Sequence, residues 1–214
     1  MPDTPKLNSE LDDPNMPTSV FMAQPQPGLK VSPFAYPLDE FYAQAGRTLP
    51  SIQPIAGDQM PEPYRSLLVH SNDMTPTLEK FHRQKVYLNV LGRHQRDDFY
   101  FREVILLLDE TEEPAEFGAI KINLALFPSG ARRAILEERL PLGHILDQHQ
   151  IIHSSRPKAF FHVEADSFIM TALQLPDSRQ LYGRRNSLMD PVQRSLAEIV
   201  EILPPTPHPA RSQR

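Results

Sequence analysis

A chain of 214 residues, 40% of them hydrophobic, has room for one ordinary domain with tails or at most two small domains. Its net charge of −5 excludes the basic footprint of a nucleic-acid or anionic-membrane binder, and the lack of cysteine excludes disulfides, thiolate metal sites and thiol catalysis. Asp3, Glu10, Asp12 and Asp13 crowd the start without an apolar segment, and the aliphatic run from Ile105 to Leu108 is far too short to cross a bilayer, so a cytoplasmic protein is expected.

Residues 1–62 read as a proline-rich, largely disordered tail with poor apolar periodicity. One island inside it, Leu38 to Ala45, has the composition of a short docking helix, but disorder with a transient turn is the preferred reading. The folded domain is expected over residues 63–205. Thr75 and Pro76 can open a helix that carries Leu78 and Phe81 on its inner face. Val86 to Leu91 reads as a strand ended by Gly92 and a charged turn from Arg93 to Asp98. Phe99 to Leu108 follows as a long strand that is apolar on both faces except for Arg102 and Glu103.

Ala115 to Phe127 is a further strand, with Ile120, Ile122 and Leu124 alternating against Lys121 and Asn123. Short helices are expected after Ser129 and after Pro141, and another strand over Lys158 to Val163. Gln180 to Leu188 leads through a turn at Asp190-Pro191 into the last strand, Ser195 to Leu203. Pro204, Pro205, Pro207 and Pro209 end regular structure, leaving 206–214 as a disordered tail. Neighbouring strands joined by short turns favour antiparallel pairing with helices grouped to one side, an α+β domain.

The candidate site starts from charges on apolar strands. Arg102 shares a face with Tyr100, Val104 and Leu106, and Glu201 shares one with Ala197, Ile199 and Leu203. A buried arginine keeps its charge and needs an anion. Two readings stay open: a structural ion pair between Arg102 and Glu201, or a dry pocket in which Arg102 holds a carboxylate and Glu201 moves a proton. Glu103 and Glu198 are competing partners nearer a rim. His144, His149 and His153 are spaced closely enough to invite a metal, but no carboxylate completes a recognised pattern. Gly183-Arg184-Arg185 reads as an anion clamp or, more commonly, a solvated turn. Ser154 and Ser155 lack the setting of a nucleophile elbow.

Five stretches in order carry a resemblance: Ser66-Leu67-Leu68 with Asp73-Met74-Thr75, then Phe101 to Leu106, Pro141-Leu142-Gly143, Tyr182 to Asn186, and Leu196 to Pro204. Together they resemble the chorismate lyase family, which makes 4-hydroxybenzoate and pyruvate from chorismate, over about residues 64–205. The resemblance implies a single antiparallel sheet with helical flaps covering an internal ligand pocket, a fold shared with the ligand-binding domain of some bacterial transcription regulators. It places the catalytic arginine on Arg102 and the catalytic glutamate on Glu201. Substrate contacts fall on Leu142, Met74 and Gly143.

The implied reaction is a cofactor-independent elimination on a small aromatic-precursor acid, with neither metal nor redox group. Tyr182 stands where the bacterial enzymes carry tryptophan, and the stretch from His149 to Ser178 is longer than theirs. The alternative is a non-catalytic aromatic-acid-binding domain of the same fold. The partner expected on either reading is a small molecule rather than nucleic acid or membrane, and the chain is expected to act as a monomer. The N-terminal stretch is too proline-rich for a DNA-reading helix-turn-helix.

Overall fold

The computed structural model describes residues 34–206. Among these residues, strands β1 (Ile52–Ile55), β2 (Val86–Arg96), β3 (Phe99–Leu108), β4 (Pro114–Asn123), β5 (Ser154–Glu164), β6 (Gln180–Met189) and β7 (Ser195–Leu203) form one sheet. Their spatial order is β1-β5-β6-β7-β4-β3-β2, and every neighbouring pair is antiparallel. The expected α+β architecture, one antiparallel sheet with helices over an internal hollow, is therefore present. Among the described residues no helix is long and apolar enough to cross a membrane.

Short connections set the pairing. Asp97 and Asp98 form a two-residue link between β2 and β3, with Asp97 in the left-handed region at φ 54°. Sequence placed the end of β2 at Gly92. Instead the register shifts between Val90 and Gly92, one extra residue is absorbed as a bulge, and the strand runs on to Arg96.

Helices cover both faces of the sheet rather than one. On the first face lie α1 (Leu38–Gln44) and α6 (Ser167–Ala172). Leu38, Phe41 and Tyr42 of α1 and Ile169 of α6 pack there against Phe101, Phe117 and Ile202. Asp166 caps α6, its side chain accepting from the Ile169 N–H at 2.9 Å. The second face carries α2 (Tyr64–Leu68), α3 (Met74–His82), α4 (Ser129–Leu136) and α5 (Leu142–Gln148) over two apolar clusters. A sheet covered on both faces explains why β3 is apolar at nearly every position.

The boundary at residue 63 is corrected by these elements. Residues 34–62 include α1, the edge strand β1 and a 3₁₀ turn at Gly57–Gln59. Leu38, Tyr42 and Met60 are buried, each contributing roughly 1.5–3 kcal/mol by leaving water. Proline spacing hid this segment because its apolar residues serve a tertiary interface and carry no long periodic run of their own. The rest of the expected N-terminal tail, residues 1–33, and residues 207–214 of the expected C-terminal tail lie outside the described residues.

Candidate functional site

Strand register builds the floor of a cavity on the second face. Asn186, Ile199, Ile120 and Arg102 stand opposite one another in one row across β6, β7, β4 and β3. The next row is Arg184, Glu201, Gly118 and Val104, and one step further along, Glu116 pairs with Leu106. Gly118 occupies the middle of this floor. A Cβ there would come within 3.0 Å of the Glu116 Oε1 and 3.2 Å of the Val200 carbonyl oxygen, so the missing side chain is what leaves the space. Above it a cavity of about 70 Å³ opens. At about 10–15 Å³ per water, that is room for five to seven water-sized groups.

The roof comes from the first turns of α3 and α5. Met74, Thr75, Leu142 and Gly143 line the cavity, and a Cβ on Gly143 would meet the Thr75 Oγ1 at 2.8 Å. The Thr75 side chain thus fills the space that a side chain at residue 143 would need, and glycine there lets the two helices pack closely. Two side-chain pairs latch the seam. His144 Nε2 lies 2.9 Å from Glu79 Oε1, linking α5 to α3. His153 Nε2 lies 2.8 Å from Asp73 Oδ2, linking the entry of β5 to the start of α3. The hydrogen bond to Asp73 holds the His153 imidazole above its ordinary pKa, against the lowering effect of burial.

Arg102, Glu201, Met74, Leu142 and Gly143 therefore all border one cavity. The two charged residues are nonetheless not partners. Glu201 is ion-paired with Arg184, its direct cross-strand neighbour, through both carboxylate oxygens. Arg184 is fully buried and also donates to the carbonyls of Leu68, His70 and Asn72 at 3.3, 3.1 and 3.2 Å. It fixes the loop that enters α3. Neither an anion clamp nor a solvated turn describes it. The hairpin register that sets Arg184 opposite Glu201 depends on the turn between β6 and β7, which residue spacing alone does not fix.

Arg102 is 2% exposed, and its Nε and Nη1 have no hydrogen-bond partner among the described residues. Burial lowers its pKa to about 10, with Tyr100 and Glu138 opposing the shift, so it stays charged at neutral pH. Glu138 is itself bound by Arg93 and the Tyr100 hydroxyl. A buried cation on a cavity wall with unpaired donors is an incomplete ion pair.

One further acidic group in the cavity escaped sequence reading. Glu116 is 5% exposed, and its Oε2 has no partner among the described residues. Burial raises its pKa well above the usual carboxyl value, reinforced by Glu201 and opposed by Arg184. Its signal was its place in the alternation of β4, two residues before Gly118 and four before Ile120, on the face that Arg102 shares.

The other candidates disperse. Glu103 points to the opposite face, and Glu198 binds Arg185, Ser187 and Ser195. His144 and His153 are engaged with carboxylates as described, and no group of three or more His, Asp or Glu among the described residues is placed to hold a metal ion. Ser155 accepts from the Asn186 amide at 2.9 Å and supports the cavity wall.

No family model matches the chain, and no curated protein matches it. Solved structures do. The ligand-binding domain of a GntR-family transcriptional regulator from Bordetella bronchiseptica aligns at TM-score 0.44 and 11% identity, over 56% of this chain and 85% of that one. PhnF from Mycobacterium smegmatis aligns at TM-score 0.49 and 10% identity, over 64% and 65%. A GntR-family transcriptional regulator from Bacillus cereus aligns at TM-score 0.40 and 13% identity, over 56% and 92%. At such identities the likeness concerns the fold alone.

The expectation of a chorismate lyase is corrected. In this chain Glu201, the residue cast as general acid or base, is held on both oxygens by Arg184 and does not face Arg102 as a free partner.

Proposed function

We propose that this domain is a binding module for a small organic anion, with Arg102 as the group that grips the charge. The reading rests above all on one observation, the buried Arg102 on the cavity wall, whose Nε and Nη1 have no hydrogen-bond partner among the described residues. An anionic ligand supplies the missing half of the ion pair with the planar, two-pronged geometry that a carboxylate offers a guanidinium. Ile120, Val104 and Leu146 give the ligand an apolar body to lie against, beneath the α3–α5 roof. A cavity of about 70 Å³ favours an acid of fewer than about ten heavy atoms.

The test is calorimetric titration with short monocarboxylates, beginning with pentanoate, on the intact chain and on Arg102→Met. A charged hydrogen bond contributes about 1.5–3 kcal/mol, so the variant is expected to lose roughly 10- to 150-fold in affinity. Equal affinity in the two proteins overturns the proposal.

A further inference from the structure

The cavity holds a second unpaired polar group, and it lies well away from Arg102. Glu116 pairs with Leu106, four residues along β3 from Arg102, so the two Cα positions are about 13 Å apart along the sheet. Both side chains border the same cavity. On this face Gly118 and Val104 form the one cross-strand row between the two backbone positions.

We infer that Glu116 selects the ligand, its carboxyl meeting an uncharged oxygen at the far end of a short monocarboxylate whose anionic end lies on Arg102. This deepens the reading of Arg102 as the anion-binding group and rests on it. Charge accounting supports it. Arg184 and Glu201 cancel as a pair, which leaves Arg102 as the cavity's one uncompensated cation among the described residues. One ligand charge completes that balance; a second carboxylate would face Glu116 and Glu201 with no cation to receive it.

The surroundings of Glu116 favour its protonated form. Burial comes first, Glu201 from β7 adds to it, Arg184 from β6 opposes it, and Arg102 from β3 borders the same cavity. On the roof side the nearest acidic group is Asp73, which is occupied by His153. A protonated carboxyl offers an O–H donor, so an acceptor such as a ketone or ether oxygen is the complementary group. The donor is present at low pH and is lost as pH rises through the raised pKa of Glu116.

Three acids of similar length separate the possibilities: pentanoate, 4-oxopentanoate and glutarate. In titrations of the intact chain at mildly acidic pH, 4-oxopentanoate is expected to bind about tenfold tighter than pentanoate, and glutarate weaker than either. Glu116→Gln keeps a donor without a titrating proton. It is expected to keep the preference for the oxo acid and to remove its decline with rising pH. Glu116→Leu is expected to erase the preference while still binding pentanoate.

Binding that requires Arg102 but shows the same preference and the same pH profile in all three proteins overturns this inference and leaves the anion reading standing. So does glutarate binding as tightly as 4-oxopentanoate. Failure of every acid to bind the wild type overturns both. Thermal unfolding of each variant identifies any loss of binding that is merely loss of fold.

Discussion

The buried charges on one sheet behave in different ways, and their partners decide how. Arg184 and Glu201 complete each other, so removing one partner strands the other. Arg184→Met or Glu201→Gln is expected to destabilise the fold by about 3–5 kcal/mol, and the double variant to recover most of that loss, as read by urea unfolding. Arg102 has no such partner among the described residues, so Arg102→Met is expected to raise stability by about 1–3 kcal/mol while weakening anion binding. A loss of stability in that variant would mean that its guanidinium is already satisfied. Glu103, on the opposite face and 4% exposed, has its pKa raised to about 7 by burial, with Arg47 opposing and Asp166 reinforcing the shift. The folded protein then binds a proton there that the unfolded chain has released. Stability from this group is full below the unfolded value near 4.5 and declines as pH rises to about 7. Glu103→Gln is expected to remove that part of the decline, up to about 3 kcal/mol, in a series of unfolding measurements from pH 4.5 to 8.

At the scale of elements, alternation made β3 and β7 legible to the residue, with Arg102 and Glu201 singled out on their apolar faces. It did not reveal which charges meet. That depends on register, and a shift of two residues between β6 and β7 would set Glu201 against Tyr182 or Asn186 instead of Arg184. Helix α6 was missed although Asp166 before Ser167 and Phe168 is a readable start, because six residues give too little periodicity to stand out. The roof helices were legible from Pro76 and Pro141, but their contact at Gly143 and Thr75 is tertiary. Their latch makes a prediction. His153 has a raised pKa, so its charged pair with Asp73 is present below the free-histidine value and is lost as pH rises through the raised one. Hydrogen exchange of the α3 amides, corrected for the intrinsic pH effect, is expected to accelerate across that range and to become pH-independent in His153→Ala. Unchanged protection in both would remove the latch from the account.

For the molecule as a whole, the folded unit reaches back through α1, and the notion of a tail up to residue 62 fails on burial. Leu38, Phe41, Tyr42 and Met60 together contribute roughly 6–12 kcal/mol by leaving water, comparable with the 5–15 kcal/mol that holds an ordinary domain together. A chain beginning at Pro63 is accordingly expected to show no cooperative thermal transition; a normal transition would show that α1 and β1 are dispensable. The same whole-molecule view separates fold from chemistry. The antiparallel sheet, the hollow and even the five residues bordering it followed from motif resemblance, whereas the use of the hollow turned on Arg184 taking Glu201 away from Arg102. What distinguishes this protein is a buried cation without a hydrogen-bond partner at two of its donors, on the wall of a roofed cavity. The most direct test is calorimetric titration of short monocarboxylates into wild type and Arg102→Met side by side. The account predicts saturable binding to the wild type and binding roughly 10- to 150-fold weaker in a variant that is at least as stable. Undiminished binding by Arg102→Met, or no binding of any short monocarboxylate by the wild type, would contradict it.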